Sequence, residues 1–224
     1  KTTQAARLAE VLRAHGFDVV TAREPGSTPL GERIRETTLG DLSLEVPARS
    51  ELFLMLAARA AFVEQVVRPA LAVGKIVLAD RFELSTLAYQ GAGRGLPLDE
   101  VRRCNDFATG GLRPDLTVLL EVDAAEGARR QQVAGKALDR LEREAAEFHE
   151  RVSRGYIELA VRVPNVARVD GRGTVAEVQR RIVEALAARF PETFVRSGFI
   201  TARRAGGSDP GPGSSFPSAG SEAE

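Results

Sequence analysis

Residues 75–81 read Lys-Ile-Val-Leu-Ala-Asp-Arg (KIVLADR), and this stretch decides the fold. Gly74 ends the segment before it, Ile76 to Ala79 are all apolar, and Asp80 and Arg81 follow at once. A short, unbroken apolar run bounded by a breaker reads as a strand covered on both faces, as in a parallel sheet. In open sheets of that kind ligands bind beyond the carboxyl ends of the strands, where Asp80 and Arg81 must sit. A carboxylate there can hold Mg2+ and the adjacent guanidinium can fork onto phosphate oxygens, although an ion pair that merely braces the fold is the other reading.

Working upstream, Pro47–Ala72 reads as a long helix, with Pro47 at its first turn and Leu52, Leu56, Phe62 and Val66 on one face. Pro69 is expected to kink its last turns. Phe17–Thr21 (FDVVT) is a second short strand, and Arg23–Gly31 (REPGSTPLG) is a Pro- and Gly-rich loop leading to a polar helix near Glu32–Thr38. Residues 2–15 place Ala5, Leu8, Val11 and Leu12 on one helical stripe, with Gly16 as a natural end. Downstream, Leu116–Val122 and the weaker Val166–Val169 are strands, and Ala137–Val163 and Thr174–Phe190 are amphipathic helices. Strands separated by helices give an α/β fold with a mostly parallel sheet. One domain is expected over 1–190. In Ala205–Glu224, 13 of 20 residues are Gly, Pro or Ser, so 191–224 is expected to be a largely disordered tail.

Composition narrows the functions. The 224 residues carry 31 basic and 31 acidic side chains, a formal net charge of zero, which argues against nucleic acid or an anionic membrane held by bulk charge. At 43% apolar the chain can build a core, and it holds no apolar run of the ~18–20 residues a membrane span needs. No charged stretch leads into the short apolar core of a secretory signal. Cys104 is the single cysteine, which excludes an intramolecular disulfide and a Cys-cluster metal site and fits a reducing cytosol. His15 and His149 are far apart in sequence and make no metal pair. All but Lys1, Lys75 and Lys136 of the basic residues are Arg, a skew that follows from genome base composition.

Two further stretches carry chemistry. Lys1-Thr2-Thr3 opens a helix as the end of a phosphate-binding loop does, the Lys reaching phosphates and the hydroxyl Mg2+, though a solvated terminus reads the same way. Arg23-Glu24-Pro25-Gly26 follows the early strand, so it opens into the crevice of Asp80 and Arg81, where Arg23 can take a second phosphate; an ordinary turn is the alternative.

Taken in order, these stretches resemble the bacterial thymidylate kinase family. The resemblance rests on REPGSTPLGE (23–32), AAR (57–59), VRPAL (67–71), DRFELSTLAYQGAGRG (80–95), RPDLT (113–117) and LDRLERE through GY (138–156), and covers roughly residues 1–190. It implies a P-loop nucleoside monophosphate kinase-like parallel sheet flanked by helices, whose first strand and Gly-rich loop would precede Lys1 and are missing from this chain. It implies an ATP:dTMP phosphotransferase making dTDP for dTTP synthesis, with Mg2+, in the cytoplasm, as a homodimer, and without nucleic acid or membrane as partners. Lys1, Thr2 and Thr3 would bind ATP with Arg129 and Arg130, and Thr2 and Asp80 would face the metal. Arg23 and Arg81 would hold the acceptor phosphate, Arg59, Ser85, Thr86 and Gln90 the base side, and Tyr89 the deoxyribose. The lid would be about 129–143, with Arg129, Arg130, Lys136 and Arg140 as candidates to neutralise the transferring group; Lys1, Arg23, Asp80, Arg81 and Arg140 would form the catalytic set.

The sequence departs from that pattern in three places. Met55 stands where an aromatic ring usually stacks on thymine, and it packs more softly; Phe53 points to another helix face. Ser27 replaces the second Gly of REPGG, and Gln131–Ala137 is poorer in Arg than in many relatives. The chain as written is expected to bind ATP poorly and to fold poorly, since about five buried apolar side chains at ~1.5–3 kcal/mol each rival a whole stability margin. Two other functions stay open at this point: another small P-loop kinase, acting on a nucleoside or nucleotide, and a non-catalytic nucleotide-binding relic.

Overall fold

The computed structural model describes residues 1–123, 126, 127, 129, 130 and 138–194. Its strands are β1 (Val19–Arg23), β2 (Ile76–Asp80), β3 (Thr117–Glu121) and β4 (Val166–Asp170). β1 pairs in parallel with β2, Val19 opposite Ile76 through Arg23 opposite Asp80, and β3 pairs in parallel with β4. The α/β class and the parallel pairing agree with the sequence, but the expected single sheet stands as two two-stranded sheets. Among the described residues no ladder joins β2 to β3. The deep burial expected of KIVLA is therefore not met: β2 is only half-buried, with Ala79 exposed, and β3 is half-buried throughout. Among the described residues each has a strand neighbour on one side only.

The helices follow the sequence in most places. α1 (Thr2–Ala14) buries Leu8, Ala9 and Leu12 against Val178, Ile182 and Leu186 of a later helix, α8 (Val175–Arg189), and against Val19 and Val169 of the strands. Gly16 turns the chain at a φ of +85°, a conformation glycine takes without strain. Thr174 caps α8 reciprocally with Glu177, each accepting from the other's backbone N–H. α2 (Pro29–Arg35) starts at Thr28, whose hydroxyl accepts from Gly31 N–H, and it passes into a π-helical turn, Glu36–Gly40.

The long helix expected over 47–72 is interrupted. α3 (Ala48–Phe62) passes through a π-helical turn, Val63–Val67, into α4 (Arg68–Ala72). Pro69 supplies no N–H and its ring would strike the carbonyl four residues back, so the widened turn just before it absorbs the misfit. The helix expected over 137–163 is shorter as well. Residues 138–144 form a turn closed by Asp139 and Glu142, whose carboxylates accept from each other's backbone N–H at 3.0 and 2.9 Å, and α7 is Ala146–Ala160.

Two helical segments escaped the sequence reading. α5 (Glu83–Thr86) runs into a π-helical stretch, Leu87–Gly93, and α6 spans Leu98–Thr109. Gly91 and Gly93 argue against a helix locally, yet close packing demands them: a Cβ on Gly93 would lie 2.7 Å from Phe148. α6 buries only Val101, Asn105 and Thr109, so its apolar stripe is too sparse to read. Together α3, the 83–93 segment, α6 and α7 enclose the second core around Leu52, Met55, Leu56, Leu87, Val101 and Phe148. Order also outlasts the expected boundary at Pro191. α9 (Pro191–Phe194) buries Phe194 with its ring 5.5 Å from Phe17; the remaining tail, 195–224, lies outside the described residues.

Candidate active site

The parallel register sets Arg23 directly beside Asp80, so the loops after β1 and β2 open into one crevice. The amino terminus of α1 enters it too: the Thr2 hydroxyl donates to Asp80 Oδ2 at 2.7 Å. Lys1 stands close enough to Arg81 that this neighbouring charge, and then burial, hold its ammonium below the ordinary lysine range, while Asp80 and Glu142 pull the other way. The charge of Arg130 bears on the amino group of Lys1 as well. Lys1, Arg23, Arg81 and Arg130 bring four cationic side chains to the crevice against Asp80 and the flanking Glu32, Glu126 and Glu142, so a polyphosphate would be met by individual ammonium and guanidinium donors and not by a net positive excess. Thr3 is exposed at the same helix end.

Arg81 is in the left-handed region, φ +80°, a strained setting for a side chain with a Cβ. There its guanidinium lies 5.0 Å over the Tyr89 ring and within 3.4 Å of the hydroxyls of Tyr89 and Tyr156. The Tyr156 hydroxyl donates to Ser85 Oγ at 2.9 Å. Tyr156 thus joins Arg81, Ser85 and Tyr89, and the sequence reading gave it no role. The signal was present, since Tyr156 closes the last of the quoted motifs.

The loop 23–31 is built around Glu32. Glu32 accepts from Arg23 Nη2 at 2.9 Å and from Ser27 N–H at 2.8 Å, and these bonds, that of Ser27 foremost, hold its pKa low. Ser27 has a φ of +65°, which explains why glycine suits the position. Its hydroxyl compensates by accepting from Arg23 N–H and donating to the Arg23 carbonyl. Gly31 is required for another reason: a Cβ there would come within 2.6 Å of the Gly26 carbonyl oxygen.

Arg59, 4% exposed, sits at the centre of a buried network. Its Nε and Nη2 donate to Glu24, with a shortest distance of 2.6 Å, and Nη1 donates to Thr86 Oγ1 at 2.8 Å and Asn105 Oδ1 at 2.7 Å. A guanidinium has five N–H donors, and this arrangement leaves one, on Nη2, for anything else. Arg59 and Thr86 are therefore brought together, but the base-side hydrogen bond expected of Arg59 has a single donor left to make it. Asn105, also unforeseen, lies on α6, which was itself missed. Met55 is buried in the second core and Phe53 is 60% exposed, as their helix faces required.

A family model described as thymidylate kinase matches residues 1–182. The chain is 47% identical over 192 residues to the thymidylate kinase of Synechococcus sp. strain JA-3-3Ab, covering 85% of this chain and 91% of that one. It is 51% identical over 160 residues to that of Deinococcus radiodurans, covering 71% and 77%. The chain belongs to the thymidylate kinase family. A crystal structure of thymidylate kinase from Ehrlichia chaffeensis matches with a TM-score of 0.66 at 28% identity, over 83% of this chain and 91% of that one.

Against the thymidylate kinase motifs, two expected site residues lie elsewhere. Gln90 is 2% exposed and donates to Glu51 at 2.9 Å. Arg140, expected in the catalytic set, donates from Nε to the Thr38 carbonyl at 2.7 Å and from Nη2 to Glu51. Both are drawn to a buried carboxylate, which outbids an open crevice for a cation or amide donor. Arg129 and Arg130 both pair with Glu126, whose carboxyl is held down to about 2, first by Arg129 and then by Arg130. Residues 131–137 of the expected lid, Lys136 among them, lie outside the described residues.

Proposed function

We propose that Lys1, Thr2 and Thr3 bind ATP, with Arg129 and Arg130 over its phosphates, and that Arg23, Arg81, Tyr89 and the Arg59–Thr86 pair receive dTMP. The enzyme phosphorylates dTMP to dTDP with ATP. An oxygen of the acceptor phosphate attacks the γ-phosphorus in line, the bond to the β,γ-bridging oxygen breaks, and ADP departs. The protein contributes position and charge: Arg23 and Arg81 hold the acceptor while Lys1 offsets charge gathering on the transferred group. Met55 supplies an apolar wall for the base, softer than an aromatic ring.

Thr2 and Asp80 offer two hard oxygens in mutual contact, a donor set that fits Mg2+, which takes few protein ligands and completes its shell with water and phosphate oxygens. Among the described residues no three His, Cys, Asp or Glu gather at one point. Bound there, Mg2+ supplies charge neutralisation at the donor phosphates.

The observation that carries the reading is the contact between Thr2 and Asp80, which sets the α1 terminus beside Arg81 and Arg23. The test is dTMP-dependent ADP release by the enzyme and its Asp80→Asn variant. Loss of the Asp80 carboxylate from a preorganised phosphate site is expected to lower kcat about 100-fold or more. An unchanged kcat, or ATP hydrolysis indifferent to dTMP, overturns it. The thymine methyl is worth ~1–3 kcal/mol, so dUMP is expected as a poorer substrate by about 10- to 200-fold.

A homodimer is part of the proposal. Phe53 on α3 and Phe107 on α6 are 60% and 91% exposed, on helices that pack side by side, and a second copy would cover them. The unpaired thiol of Cys104 supports a cytoplasmic setting.

A further inference from the structure

Glu51 is a carboxylate with no exposure at all, set in an apolar core among Leu52, Met55 and Leu87. A lone charge there would cost several kcal/mol, so its partners decide its purpose. Gln90 Nε2 and Arg94 Nε donate to Oε1 at 2.9 and 3.2 Å, and Arg94 Nη2 donates to Oε2 at 2.9 Å. Arg140 Nη2 also donates to Oε2. Arg94 reaches on to Glu144, and the Arg140 backbone N–H donates to the Leu39 carbonyl at 3.0 Å. Two arginines against two glutamates leave the cluster neutral.

The segments it joins are far apart in sequence, and they frame the acceptor side of the crevice. Glu51 precedes Met55 and Arg59 by four and eight residues, about one and two turns on the same face of α3. Gln90 follows Tyr89 directly and lies four residues after Thr86. Leu39 lies in the last turn of the helical run that follows the Arg23 loop. A hydrophobic residue would serve if stability were the only demand, since apolar replacements of buried ion clusters are often neutral or better. What an apolar residue cannot do is fix the mutual register of these segments through directed bonds.

We propose that Glu51 is a positioning residue of the acceptor-nucleotide site: its buried carboxylate locks the helix of Met55 and Arg59 to the segment of Thr86 and Tyr89. The inference rests on the dTMP kinase reading and deepens it. Among the described residues no hydrogen bond or ion pair joins Glu51 to Lys1, Thr2 or Asp80; its one link toward the ATP side is Arg140, so the loss should fall mainly on dTMP.

The experiment compares the enzyme with Glu51→Gln and Glu51→Asp. Glutamine is isosteric but uncharged; aspartate keeps the charge but withdraws it by one methylene. Melting temperature, dTMP affinity by calorimetry, and kcat and both KM values are measured well below each melting point. For Glu51→Gln the expected result is at least a tenfold loss of dTMP affinity and a similar rise in its KM, with the KM for ATP changed less than threefold. Glu51→Asp should shift dTMP the same way by a smaller factor, and it decides the matter if Glu51→Gln does not fold. A lowered melting temperature with unchanged dTMP affinity overturns the proposal, because a purely structural carboxylate would act so. Equal losses for ATP and dTMP overturn it as well. If the unaltered enzyme neither binds nor phosphorylates dTMP, the kinase reading fails first and takes this inference with it; if it binds dTMP without turnover, the affinity arm still decides.

Discussion

Removing the Arg59 side chain by Arg59→Met tests the central network most directly. The substitution keeps apolar bulk but leaves the buried Glu24, 5% exposed, without its Arg59 partner, and takes the donors from Thr86 and Asn105. Breaking a buried ion pair from one side costs ~3–5 kcal/mol, because the surviving charge stays buried. For a domain of this size each kcal/mol is worth about 2–4 °C, so the melting temperature should fall by ~6–20 °C. Pairing the change with Glu24→Met removes the stranded carboxylate and should recover at least half the loss, ~1.5–2.5 kcal/mol or more. Urea denaturation of the two single variants and the double variant measures this cycle. If Arg59→Met costs less than ~1 kcal/mol, or the double variant is no more stable than it, then Arg59 does not hold Glu24 as described and the refutation is complete.

Other perturbations address the loop, the tyrosines and the carboxylate cluster. Gly31→Ala puts a methyl group within 2.6 Å of the Gly26 carbonyl oxygen; displacing the Arg23 loop should cost ~1–3 kcal/mol and raise the KM for dTMP more than that for ATP in steady-state assays. Tyr156→Phe removes the hydroxyl shared by Arg81 and Ser85, and about a fivefold rise in the KM for dTMP, ~1 kcal/mol, should accompany an unchanged fold by circular dichroism. Burial pushes the Glu51 carboxyl up, but the bonds from Arg94, Arg140 and Gln90 outweigh it and leave its pKa below the ordinary value. The cluster's stabilisation is thus complete above the unfolded carboxylate range and lost as pH falls through the depressed folded value; melting temperature against pH should show that acid-side loss, reduced in Glu51→Gln.

How much of this was legible in the sequence depends on the range of the interaction. The strand at 76–80, the helix beginning at Thr174 and the crevice formed by Arg23, Asp80 and Arg81 follow from local patterns: an apolar run, an amphipathic period, loops at carboxyl strand ends. β1 was placed two residues early because Phe17 is apolar, though it serves the α9 contact and not the strand. The fates of Arg59, Gln90 and Arg140 were not legible, because each is fixed by a partner 35 to 89 residues away. Glu51 carries no motif at all; on a helix that otherwise buries Leu52, Met55 and Leu56, a lone carboxylate reads as surface charge. α6 stayed hidden because what it buries is largely polar, and Asn105 went with it.

The division between β2 and β3 has a consequence for handling this chain. Each strand shows one row of backbone amides and carbonyls that no other described strand satisfies, flanked by apolar side chains such as Ile76, Leu78, Val118 and Leu120. Such a row is a ready template for another extended chain. Open edges of this kind let molecules pair edge to edge in concentrated solution, and a surface with no net charge does little to oppose it.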